Sequence, residues 1–393
     1  MQRIPSPLRL VIGAVAVILV LLALNAWVER PVMDPDATSF YGMDRYKETI
    51  IVFCGINIIL AVALNIVNGF TGQFSLGHIG FFAVGAYVSA ALSTYGHARL
   101  FPSLPVDGRP IGVAQSALPL IALCLVGGLC AAAVGYVVGL PSLRLRGDYL
   151  AILTLGFAQI IQIVILNTPA VYGSTTFNSI TRGDTTIFIP HLTDFFWVYL
   201  AAAIALWVSY GLRFSTHGLA FLAVREDEIA AEAMGINTTR YKVIGFVLSA
   251  FFTGVAGALF AQYQTSLSSG QFSFMRGIDV VVMVVLGGLG SISGVALAAV
   301  LLTILPEALR ALPSGEQYRL VIYPLLLVIL MLTRPQGIFG REELSRVWLR
   351  GQGEAMRGWF HRRPAPPPAL AAGPDVMRTA RDREDTEVET GRE

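Results

Sequence analysis

Between residues 10 and 332 the chain is a succession of apolar runs set apart by short polar segments. Uninterrupted runs fall at 10–27, 50–67, 117–140, 149–166, 195–212, 243–261 and 320–332. A membrane-crossing helix needs about twenty apolar residues, because the hydrocarbon core is about 30 Å thick and each residue rises about 1.5 Å. These runs are therefore predicted to span a membrane. Two further stretches, 73–92 and 279–310, are apolar but interrupted by glycine clusters. The first half of the second is too short to span alone, which predicts a dip that breaks at Gly287-Gly288-Leu289-Gly290. The first run follows Arg3 and Arg9 as a secretory signal would, but Leu24-Asn25-Ala26 is a poor cleavage site and more spans follow. A retained helix is expected. The fold class is all-α: a polytopic membrane protein with about eight to ten transmembrane helices, two of them glycine-interrupted or re-entrant.

Charge placement predicts orientation. Arg144 and Arg146 share one loop, while Arg213, Arg225, Arg240 and Lys242 flank another. The last sixty residues carry eleven arginines. Putting these basic groups inside, with Arg3 and Arg9, places both termini in the cytoplasm and requires an even number of crossings. Residues 1–340 read as the transmembrane domain, with a cytoplasmic loop at about 213–242. Residues 341–363 mix arginines with Leu344, Val347, Trp348, Met356, Trp359 and Phe360, as an interfacial helix does. Residues 364–393, rich in proline and mixed charge, are expected to be disordered.

Composition removes whole classes of function. Of 54 charged residues among 393, 21 lie in the last sixty, leaving 33 in the first 333, less than half the usual density. That cannot cover a water-soluble surface, and a net charge of +2 offers no basic face for nucleic acid. Cys54, Cys124 and Cys130 lie inside apolar runs without metal-ligand spacing, so no metal site is expected. Lys47 and Lys242 each follow tyrosine rather than glycine, so there is no Walker A loop to hold ATP phosphates. No H-E-x-x-H or G-x-S-x-G pattern is present, and no catalytic residue is assigned.

The glycine clusters are the unusual chemistry. Gly69, Gly72, Gln73, Ser75, Gly77, His78 and Gly80 insert flexible and polar groups where apolar residues would be expected. Non-helical backbone at membrane depth must be buried in protein or line a wet cavity. Gly287, Gly288, Gly290 and Ser291 form a second break far along the chain, and paired breaks in the two halves of a transporter point to a substrate pathway. The competing reading is close helix packing by small residues, favoured for Gly135 and Gly139, which fit GxxxG. His78 alone is more simply a histidine bonded within the fold than a proton carrier.

Within the 213–242 loop, Leu222, Ile229 and Ala233 share a helical face while Arg225, Glu226, Asp227, Glu228 and Glu232 charge the rest. An amphipathic helix is predicted over 218–235, ended by Gly235 in a left-handed cap.

The blocks around these features resemble the permease subunits of branched-chain amino-acid ABC importers, of the M (LivM-like) type. Gly69, Gly72-Gln73, Ser75, Gly77-His78, Phe81 and Gly85-Ala86-Tyr87 reproduce one family motif. Gly147-Asp148-Tyr149 before Ala151-Ile152-Leu153-Thr154-Leu155-Gly156-Phe157 is the next, followed by the stretches 223–237 and 284–291 and by Arg334-Pro335-Gln336-Gly337. Gln159 and Gln162 depart from the pattern, standing where relatives commonly have an acid and a base, and the 172–180 loop lacks the usual paired glycines. The resemblance implies a subunit that moves branched-chain or related amino acids inward. Urea and short-amide permeases share the motifs, and an ion-coupled secondary transporter is the alternative of another class. It further implies a heterodimer with a second related permease, two ABC ATPases and a periplasmic amino-acid-binding protein, ATP being bound by the partners alone. Arg225, Glu226, Glu228, Ala231 and Gly235 would then contact the ATPase.

Overall fold

The computed structural model describes residues 18–25, 45–101, 113–142, 148–171, 176–182 and 185–310, together with Leu325 and Val328. The expected span at 320–332, the loop holding Arg144 and Arg146, and the segments 341–363 and 364–393 lie outside the described residues.

The helices follow the apolar runs. They are α1 (Arg45–Asn65, continued by a π-helical turn, Ile66–Phe70), α2 (His78–Tyr95), α3 (Val113–Ser142), α4 (Asp148–Leu166) and α5 (Phe195–Arg213). After them come α6 (Thr216–Glu226), α7 (Glu228–Ala233), α8 (Thr238–Gln264), α9 (Phe274–Gly287) and α10 (Ile292–Arg310). Seven helical segments among the described residues are long and apolar enough to cross a membrane. The protein is an all-α, multi-pass bundle.

Two central helices organise it. α8 packs against α3 and α2, and α1 packs against α5 and α10. Small residues let the backbones approach closely. A methyl group on Gly85 would stand 2.1 Å from the Gly254 carbonyl oxygen, and one on Gly257 would stand 2.2 Å from that of Phe82. Without water to drive association, such close packing is what holds helices together in lipid. The Gly135 reading holds at this level, since a methyl there would meet Ala250 at 2.5 Å. Buried polar pairs add interhelical links: Gln262 donates to Ser89 (3.1 Å) and Asn57 to Thr303 (2.9 Å).

Residues 279–310 correct an expectation. α9 begins at Phe274, five residues before the apolar run, and with the preceding 3₁₀ turn Ser269–Gly287 is long enough to cross. The charged Arg276 hid this start from the apolar count, yet its guanidinium lies over the rings of Phe82 and Phe260 at 5.3 and 4.8 Å. Aromatic faces accept a cation in a weakly polar setting. The break at Gly287–Gly290 is therefore a turn between two helices, α9 and α10, rather than a dip.

A β element at the other end of α8 was not anticipated. Antiparallel pairs join Thr176–Phe177 to Leu267–Ser268 and Ser179–Arg182 to Thr185–Phe188. α8, 27 residues long, separates this patch by about 40 Å from the 213–242 segment at its start.

Candidate functional site

The two glycine breaks and the polar loop, remote in sequence, meet at one end of the bundle. α1 ends in its π turn with Asn65 and Gly69 facing the α9–α10 turn. The Asn65 side chain accepts from the Gly290 amide (2.9 Å) and donates to the Ser291 carbonyl (3.3 Å). Gly69 is pressed against the same turn, and a methyl there would stand 2.6 Å from the Gly290 nitrogen.

Two arginines from the loop reach into this junction. Arg225, on α6, donates from Nη1 to the Gly69 carbonyl at 2.6 Å. Arg213, at the end of α5, donates from Nη1 to the Gly290 carbonyl at 2.6 Å. A helix C-terminus leaves carbonyls without intrahelical donors and carries partial negative charge, so a cation at Gly69 is doubly favourable. Arg225 thereby ties the loop to the end of α1, and Arg213 ties it to the α9–α10 turn. Gly72, at φ 69°, leaves room for the Arg225 side chain, whose Cγ would be 2.9 Å from any Cβ at that position.

The turn itself depends on glycine. Gly288 and Gly290 hold φ of 102° and 90°, which L-residues with a Cβ rarely adopt. A methyl on Gly287 would lie 2.4 Å from the Val295 Cα, so α9 and α10 separate at backbone contact. Ser291 Oγ accepts from the Gly294 amide at 3.1 Å and starts α10.

Between the π turn and α2, residues 71–77 are non-helical. Burial alternates there: Thr71, Gln73 and Ser75 face inward while Gly72 and Phe74 are exposed. Backbone amides find side-chain acceptors, Ser75 on Asn68 Oδ1 (3.1 Å) and Leu76 on Thr154 Oγ1 (3.2 Å). Asn68 Nδ2, Gln73 Oε1 and Ser75 Oγ are buried without a hydrogen-bond partner. Such groups are costly unless something completes them, which makes this stretch an incompletely satisfied buried polar segment. Gly77 lets the segment touch α4, since a methyl there would stand 2.4 Å from the Thr154 carbonyl oxygen.

His78 sits apart from that segment. Its ring contacts the Leu60 carbonyl (3.1 Å) and Thr253 Oγ1 (2.7 Å), joining α2 to α1 and α8. The structure places it as a buried joint.

The loop differs from the single helix expected over 218–235. Asp227 leaves helical geometry and caps α7, its Oδ1 accepting from the amides of Ile229 (2.9 Å) and Ala230 (3.1 Å). A short acidic side chain competes for backbone amides in this way, so it breaks one helix and starts another. The expected Leu222–Ile229–Ala233 face is consequently lost. Phe221, Val224 and Ala231 are buried instead, whereas Ile229 and Met234 are 69% and 82% exposed. Gly235 ends α7 at φ 82°, as expected. Glu226 is exposed, but Glu228 is held by Lys242 at 2.6 Å. Of the five residues expected to contact an outside partner, Arg225 and Glu228 also make contacts within the chain and Ala231 is buried in it. Gln162 also has an internal use, donating to the Ser269 carbonyl at 3.3 Å.

Asn65, Asn68, Arg213 and Thr154 were missed as site residues. Asn65 and Asn68, spaced three apart before Gly69, were the available signal.

Residues 46–331 match the family described as branched-chain amino acid transport system, permease component. The chain belongs to this family. It is 36% identical to the high-affinity branched-chain amino acid transport system permease protein LivM of Salmonella typhimurium, covering 72% of this chain and 67% of the relative. Against LivM of Escherichia coli K12 the identity is 34%, over 77% and 71%. LivH of the same strain is 27% identical, over 74% and 92%. No solved structure matches. The junction of Gly69, Gly290, Arg213 and Arg225 thus belongs to a transport permease that crosses the membrane several times.

Proposed function

We propose that this permease carries branched-chain amino acids into the cytoplasm as one half of a heterodimer with a second, related permease. Two separate ABC ATPases drive it and a periplasmic binding protein delivers the solute. Both termini lie in the cytoplasm of a bacterial inner membrane, and the chain needs no cofactor, ATP being bound by its partners. The observation that carries the reading is Arg225: one side chain links α6, in the polar loop, to the carbonyl that ends a spanning helix.

The mechanism follows from that link. The exposed Ile229 and Met234, amid charged neighbours, offer an ATPase subunit an apolar grip on α7. When the ATPases close on ATP they displace α6 and α7. Arg225 and Arg213 pass the displacement to the ends of α1 and α9. Glycine turns can change φ and ψ at little steric cost, so the junction acts as the hinge. The polar lining at Asn68, Gln73 and Ser75 lies beside that hinge and forms part of the solute path.

The names of the relatives support the solute class. Urea or a short amide is the second reading, since the departures at Gln159 and Gln162 concern the helix that packs against the unwound segment. The test is reconstitution with the cognate ATPases, second permease and binding protein, followed by uptake of labelled leucine and urea. ATP-dependent leucine uptake supports the proposal. Uptake of urea alone, or uptake driven by an ion gradient without ATP, overturns it.

A further inference from the structure

We infer that Arg276 and Asp279 form a transient site for the two charges of a zwitterionic α-amino acid, at the end of α9 away from the glycine junction. This deepens the proposed function and rests on it.

Both residues lie within a segment apolar enough to cross a membrane. Charges in such places are costly, and they ordinarily face a pathway or a partner. Among the described residues no close ion pair or hydrogen bond holds either side chain, so the two charges offset each other only at longer range. Arg276 is instead steadied by the faces of Phe82 (5.3 Å) and Phe260 (4.8 Å). A guanidinium stacked in this way keeps the N–H groups at its edge free for a carboxylate. Asp279 lies one turn on, within electrostatic reach of Arg276. Residues three apart share a helix face, about 5–6 Å between Cβ atoms. That spacing suits a ligand whose carboxylate and ammonium sit on one carbon, the carboxylate on Arg276 and the ammonium on Asp279. Both side chains are partly exposed, and Phe274 and Met275 beside them are 37% and 68% exposed, giving an aliphatic side chain apolar surface to lie on. An uncharged amide such as urea would bring no counter-charge to either group, so the pair discriminates between the two solute readings.

The experiment uses the full reconstituted complex in vesicles, with labelled leucine, and compares wild type with Arg276→Lys and Asp279→Asn. Lysine keeps a cation over the two rings but loses the planar fork, so a purely structural cation–π role would survive it. We expect leucine uptake to fall at least tenfold in each variant. Hydrolysis stimulated by ligand-free binding protein should stay near wild type, because the junction with the ATPases is untouched. Normal leucine uptake by both variants overturns the inference, as does a parallel loss of uptake and of ligand-free stimulation, which signals misassembly. If wild type itself carries no leucine, the broader proposal fails and not this site alone.

Discussion

Replacing Gly69 with alanine tests the junction at its tightest point. The new methyl would stand 2.1 Å from Asn65 Oδ1 and 2.6 Å from the Gly290 nitrogen, both far inside van der Waals contact. Something must give. If Asn65 swings away, its bonds to Gly290 and Ser291 are lost and buried polar atoms are left unpaired, at about 1–3 kcal/mol each. If the turn moves instead, overpacking costs about 1–3 kcal/mol and carries Gly290 away from Arg213. Either route costs at least about 1–3 kcal/mol and disturbs the carbonyl that Arg225 holds. Gly156→Ala is the control, because no atom lies within 4 Å of a methyl there. The assay compares thermal stability of the purified complex and leucine uptake at matched membrane expression. Gly69→Ala should melt earlier and lose uptake about tenfold or more, while Gly156→Ala behaves as wild type. Equal behaviour of the two variants would refute the close contact and the reasoning built on it.

Three further outcomes are expected. Gly72→Leu should abolish uptake while the subunit still inserts, because it strains a φ of 69° and displaces the Arg225 side chain; membrane fractionation with uptake checks it. Gly235→Val should reduce recovery of the ATPases in a pull-down through backbone strain alone, about 1–2 kcal/mol, since no atom lies within 4 Å of its Cβ, and Gly235→Asn should be nearly silent. Glu228→Gln weakens the link to Lys242, which is 9% exposed, and should destabilise the loop by about 1.5–3 kcal/mol, seen as faster proteolysis between α6 and α8.

The spanning helices were legible because lipid demands long apolar runs, and α1, α3, α4, α5 and α8 lie within a few residues of theirs. α9 was truncated because a charge count penalises Arg276 without knowing that two phenylalanine rings would receive it. The α6–α7 break was hidden because helical periodicity runs smoothly through Asp227, and only its capping bonds reveal the interruption. The glycine clusters announced themselves, but their meeting did not. Gly69 and Gly290 are 221 positions apart, and pairing them required the bonds of Asn65. The patch of β pairs was missed since the strands are two to four residues long, too short for alternation to register.

The central claim is that the loop drives the glycine junction through Arg213 and Arg225. The most direct measurement is the number of leucine molecules taken up per ATP hydrolysed in vesicles, for wild type and for Arg213→Ala with Arg225→Ala. Each lost contact is a charge-assisted bond to a backbone carbonyl, about 1.5–3 kcal/mol. The account predicts that the ATPases still assemble and hydrolyse ATP while the leucine moved per ATP collapses. An unchanged ratio in the double variant would contradict it.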